Sequence, residues 1–225
     1  MRHTLNLTER KNRISERFTD QTSHVIDDKP DVLRSIIQPG VNLSLWQRPV
    51  QPEISQEISV LQASDLPDVR CDTAQSTFIN DVNNLLNQQG LNPDLFPHWR
   101  RDLQRLANLY FGIIGERNVT MRLETTDVVH CPRFHIDRAH LRLLCTYQGP
   151  STEWLTNAQT DREAQLNGAT NDEIIRFGEP SQFGLFTVGI MKGSAYPGNS
   201  EAGLMHRSPS IGSADQTRVL LCLDS

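Results

Sequence analysis

Residues 131–137 read Cys131-Pro-Arg-Phe-His135-Ile-Asp137, and the His-x-Asp pair inside them sets what the fold must do. In an extended strand, side chains two positions apart point to the same side. His135 and Asp137 can therefore reach one metal ion from a strand. Downstream, Gly203-Leu-Met-His206-Arg-Ser-Pro209 brings a second histidine 69 residues after Asp137, and Arg218 follows 12 residues later in Thr217-Arg-Val-Leu-Leu-Cys222. One His and one carboxylate on a strand, with a second His on a late strand, make a facial triad of metal ligands. Three ligands on one octahedral face leave three adjacent positions open, enough for a bidentate 2-oxo acid together with dioxygen. An arginine near the distal histidine suits the far carboxylate of such an acid, because guanidinium pairs with carboxylate through two parallel bonds.

The chain around this constellation changes period near Gly115. Before it, Val41–Trp46 alternates like a half-buried strand, and a short helix fits Glu53–Leu61. Two helices follow. Ser76–Asn87 aligns Phe78, Val82, Leu85 and Leu86 on one stripe, and Leu103, Leu106, Leu109, Tyr110 and Ile113 do the same after Pro97. After Gly115 the segments Val119–Thr126, Val128–His130, Leu141–Tyr147, Leu185–Lys192, Leu204–His206 and Val219–Leu223 are short and strand-like, with a turn or two of helix near Asp161–Gln165. Helices followed by many short strands imply an α+β fold, a sandwich or barrel carried on helices. Residues 1–30 are polar and without period and are expected to form a flexible arm. Residues 31–225 are expected to form one metal-binding domain, with its helical part at about 75–115.

Composition narrows the class. The 225 residues are 37% hydrophobic and 22% charged, with net charge −5 and a pI near 5.8. With no dense Lys/Arg stripe, the charge argues against a nucleic-acid partner. No apolar run reaches the roughly 18 residues of a membrane span, and the polar N-terminus lacks a secretory apolar core. The four cysteines are scattered without a CxxC pair, so a cytoplasmic protein with reduced thiols is expected. The substrate, small molecule or protein, is not specified, and neither is the oligomeric state.

Each candidate has a plainer alternative. His135 and Asp137 could be a hydrogen-bonded pair at a strand end. Cys131 shares strand parity with His135, but four extended residues span roughly 13 Å, so a buried or outer-shell thiol fits it better than a ligand. Tyr147 and Thr152 are candidates for a second co-substrate anchor. Arg142 gives the rim positive charge, Trp154 lines the mouth or packs on the helices, and Arg207 and Ser208 stand ready to orient His206.

The pattern resembles the Fe(II)/2-oxoglutarate oxygenase superfamily, in which HxD precedes a distal His and an Arg one hairpin later. Leu185-Phe-Thr-Val-Gly-Ile-Met-Lys-Gly193 is similar to the strand and turn that lead to the distal ligand there. The resemblance implies a double-stranded β-helix of the jelly-roll or cupin kind, Fe(II) at His135, Asp137 and His206, and 2-oxoglutarate held by Arg218. Where that superfamily carries a GG-containing strand, this chain has Gly149-Pro-Ser-Thr-Glu-Trp154. CPRFHIDRAHLRLLCTYQGPSTEWL (131–155) together with MHRSP resembles a bacterial family known as a domain of unknown function, over about residues 30–225. Members of that family tend to be encoded near zinc-homeostasis genes, which implies Zn(II) as the alternative metal. It also implies a second reading, a cupin-like zinc- or iron-binding protein without oxygenase chemistry.

Overall fold

The structure, a computed structural model, describes residues 24–115, 117–199, 202–211 and 217–225. Most of the expected N-terminal arm lies outside them. Residues 24–30 take part in the fold: strand β1 (His24–Asp27) pairs in parallel with β2 (Leu43–Trp46). A 3-10 helix (Pro30–Ile37) joins the two and buries Val32, Leu33 and Ile36.

The helices follow their apolar stripes. Helix α1 (Pro52–Ile58) is followed by the edge strand β3 (Arg70–Thr73), then α2 (Phe78–Gln88) and α3 (Pro97–Ile114). Pro97, which has no N–H to leave unpaired, opens α3, and Gly115 at φ 70° closes it. The Glu57 carboxylate of α1 accepts the first free amides of α3, from His98 at 2.9 Å and Trp99 at 2.8 Å.

The second half supplies strands β4 (Val119–Thr126), β5 (Leu141–Gln148), β6 (Glu153–Leu155), β7 (Ser181–Gln182), β8 (Val188–Lys192), β9 (Met205–Arg207) and β10 (Arg218–Asp224). Short helices α4 (Arg162–Leu166) and α5 (Asn171–Ile174) lie between β6 and β7. The strands form a seven-stranded sheet, ordered β1-β2-β8-β5-β10-β4-β3, and a three-stranded sheet, ordered β7-β6-β9. The fold is therefore mixed α+β with one large sheet.

Strand parity divides the core. Met121, Leu123, Leu143, Cys145, Tyr147, Val188, Ile190, Val219, Leu221 and Leu223 point toward α2 and α3 in one cluster. The alternate positions Leu43, Leu45, Leu144, Met191, Leu220 and Cys222 pack against Trp154, Phe183 and Leu204 in a second cluster that joins the two sheets. The candidate site opens on this second face.

Two expected strands differ. Val128–His130 is a bend, with the Thr126 hydroxyl accepting the Val128 amide at 3.1 Å. Leu185–Thr187 is a turn, because Phe186 sits at φ 59° and its carbonyl accepts Nε of Arg48 at 2.6 Å. No helix among the described residues is long and apolar enough to cross a membrane.

Candidate metal centre

His135 and His206 meet across one antiparallel bridge, each amide donating to the other's carbonyl at 3.0 and 3.1 Å. The pairing sets their rings side by side, with centroids 4.5 Å apart. Asp137 lies two residues beyond His135 on the same side. Its backbone carbonyl accepts the Ser194 amide at 2.8 Å. Gly193 is packed so closely on the Asp137 and Ala139 carbonyls that any Cβ there would collide with them.

The ring nitrogens are assigned by their partners. Nδ1 of His135 lies 2.9 Å from the Arg133 carbonyl, and Nδ1 of His206 lies 3.2 Å from the Leu204 carbonyl. A carbonyl can only accept, so each Nδ1 donates and each neutral ring turns the Nε2 lone pair inward. Both Nε2 atoms face Asp137, at 3.5 Å from Oδ1 for His135 and 3.0 Å from Oδ2 for His206. Three electron-pair donors thus converge with no proton between them in the neutral state. Adjacent ligands on a metal with bonds of about 2.1 Å stand about 3 Å apart, which these spacings approach. Oδ2 of Asp137 is buried without a well-directed hydrogen bond, and the donor atoms of the three residues lie within 4.8 Å of one another. The residues fit a divalent ion.

Charge reinforces the arrangement. Burial works against the ionised form of Asp137, but His206, His135 and Arg142 outweigh it and hold the carboxyl far below the ordinary range. For His135, burial favours the neutral ring, but Asp137 and the Arg133 carbonyl win and raise its pKa.

A cavity beside the triad is lined by His135, His206, Thr152 and Arg218. Arg218 is 6% exposed. Its Nη2 donates to Oγ1 of Thr152 at 3.0 Å, while its Nε is buried without a hydrogen bond. Burial lowers its pKa to about 10. The other arginines of the wall have carboxylate partners: Arg142 has Asp137 and Asp224, Arg207 has Glu153, and Arg122 has Asp68 and Glu124. Gly149, at φ 78°, lets the loop to Thr152 cross over Arg218, where a Cβ would come within 2.9 Å of the arginine Cα.

The structure thus brings together His135, Asp137, His206, Arg218 and Thr152. Cys131, Arg142, Arg207 and Ser208 also line the cavity or touch the triad. Cys131 is exposed, and its sulfur is not among the converging donors. Arg142 is more than a rim charge: its Nη1 lies 2.5 Å from Oδ2 of Asp137. Arg207 stacks over the Phe134 ring at 4.5 Å, and the Ser208 amide donates to the Cys131 carbonyl at 2.9 Å.

Tyr147 is placed elsewhere. Odd positions of β5 face the helices, and its hydroxyl donates to Asp102 at 2.8 Å. Trp154 packs between the sheets rather than at the mouth.

A second charged group on the cavity side joins Glu124 and His130 (Oε1 to Nε2, 2.9 Å) with Asp68, the Arg122 guanidinium lying against both carboxylates. Sequence reasoning missed Arg122, Glu124 and Asp68. The signal was Arg122, Glu124 and Thr126 alternating with Met121 and Leu123 on a central strand, which marks a polar cavity rather than open solvent.

No curated protein matches the chain. Among solved structures, it is similar to dioxygenase for auxin oxidation 1 from Arabidopsis thaliana, a 2-oxoglutarate complex, with TM-score 0.54 and 11% identity, covering 91% of this chain and 92% of that one. The dioxygenase for auxin oxidation of rice gives TM-score 0.55 and 12% identity over 91% of this chain and 82% of that one. At such identities the likeness is one of fold. A family profile described as protein of unknown function (DUF1826) matches residues 27–224, and the chain belongs to that family.

Proposed function

We propose that this protein is an Fe(II)- and 2-oxoglutarate-dependent oxygenase built on a double-stranded β-helix, with His135, Asp137 and His206 as the metal ligands. The observation that carries the reading is the conjunction of three converging donors with a buried arginine that makes no direct ion pair among the described residues, Glu124 acting on it only at longer range. A buried guanidinium is costly without a counter-ion. Arg218 lines the same cavity as His135 and His206 and presents an unused Nε, so a carboxylate-bearing ligand would complete both. The shared fold with the two dioxygenases supports the same reading.

In this reading, the bound metal and 2-oxoglutarate together supply oxidative chemistry on an unreactive C–H bond. The chain's own residues bind and orient. Arg218 and Thr152 hold the far carboxylate, the Arg133 and Leu204 carbonyls keep both imidazoles in the tautomer that offers Nε2, and Leu144 and Leu220 line an apolar part of the cavity wall.

The test is anaerobic addition of Fe(II) and then 2-oxoglutarate to the metal-free protein. A weak visible charge-transfer band that requires both is expected. Tight zinc binding that 2-oxoglutarate leaves unchanged, with no band from iron, would instead favour a metal-binding protein without oxygenase chemistry.

A further inference from the structure

We infer that Arg142, clamped by Asp224, is a positioning residue of the metal centre that fixes how Asp137 presents its carboxylate; this rests on the metal reading of the triad. Arg142 of β5 stands directly opposite Asp224 of β10 in the sheet register. Its guanidinium spends two nitrogens on that partner, Nε to Oδ1 at 2.5 Å and Nη2 to Oδ2 at 2.8 Å. The third nitrogen, Nη1, lies 2.5 Å from Oδ2 of Asp137. A planar guanidinium held at two points by a strand-borne carboxylate has no freedom left, so its third nitrogen is a fixed post.

Asp137 needs such a post. It follows the single-residue bridge at His135 and lies outside any strand, so no ladder steadies its side chain. The Arg142 contact at Oδ2 fixes the plane of the carboxylate, and a carboxylate so held offers a cation a single oxygen and occupies one coordination position. A carboxylate free to offer both would take two, and the face available to co-substrate and dioxygen would shrink.

The alternative role has the opposite sign. If Arg142 acted only through its charge, it would repel a divalent ion, and its removal would tighten metal binding. Positioning predicts a loss, since deleting a partner that orients a ligand typically costs about 10–100-fold in metal affinity.

Cobalt(II) serves as the probe, titrated into the metal-free full chain and followed by its visible d–d bands. Arg142→Met is expected to weaken binding about 10–100-fold and to change band intensity, because the coordination number changes. Arg142→Lys keeps the charge but reaches one partner at a time and should recover part of the loss. Asp224→Asn touches no triad residue and should shift affinity in the same direction by a smaller factor. It also keeps the proposal testable if Arg142→Met does not fold. Unchanged or tighter binding with unchanged bands in both Arg142→Met and Asp224→Asn overturns the proposal. Loss of cobalt in His206→Ala alongside that result leaves the triad standing. Binding in His206→Ala as tight as in the parent, or no binding by the parent, removes the triad itself.

Discussion

His135 and His206 are partners in the backbone as well as in the candidate metal centre, because the isolated antiparallel bridge between their segments is the pair of hydrogen bonds that these two residues exchange. Ligand spacing is therefore set by main-chain geometry, and the side chains need little adjustment to converge on Asp137.

Replacing any one of His135, Asp137 and His206 by alanine should lower divalent-metal affinity by more than about 100-fold, beyond the range typical of outer-shell partners. Metal content of the untagged protein checks this. Retained metal in all three variants would refute the assignment.

Arg218→Met should leave metal content intact and weaken 2-oxoglutarate binding by roughly 10–100-fold, the loss of one or two charge-assisted bonds. Gly149→Ala should impair the same step, because its Cβ would press on the Arg218 backbone and φ 78° strains any non-glycine residue. Both are read in the anaerobic titration.

Burial raises the thiols of Cys145 and Cys222 from 9.0 to about 11. An acid whose folded pKa exceeds its unfolded value contributes stability below the unfolded pKa and loses it as pH rises toward the folded one. The melting temperature should therefore fall between pH 9 and 11, by roughly 5 °C or more. At neutral pH, exposed Cys131 should be alkylated at once, and Cys145 and Cys222 only after unfolding.

Asp102 of α3 receives both terminal nitrogens of Arg48, at 2.5 and 2.7 Å, and the Tyr147 hydroxyl, all in the core. Asp102→Ala strands a buried guanidinium and should cost about 3–5 kcal/mol, measured by denaturant unfolding, with the triad geometry retained in any folded fraction.

Much of this was legible in residue order. The stripes of α2 and α3 and the alternation of β4, β5 and β10 sit where their periods place them, since each buries one face on a common core. Strands β6 and β7, at three and two residues, are too short to carry a period. Thr152 and Tyr147 were indistinguishable as co-substrate anchors until strand parity was tied to a face: Tyr147 shares parity with Leu143 and Cys145, which face the helices. Asp102, three positions from Trp99 on the buried side of α3, announces a core partner, but the sequence cannot say that the partner is Arg48, 54 residues earlier.

Strand β10 carries Arg218 at its first position and Asp224 at its last, six residues apart and so on one face, with a register shift against β5 between Val219 and Leu220. A slip of one residue would turn Arg218 away from the cavity and withdraw the clamp on Arg142 together. Co-substrate capture and ligand orientation are thus two outputs of a single alignment, and a chain with β10 misregistered would be inert at both rather than impaired at one.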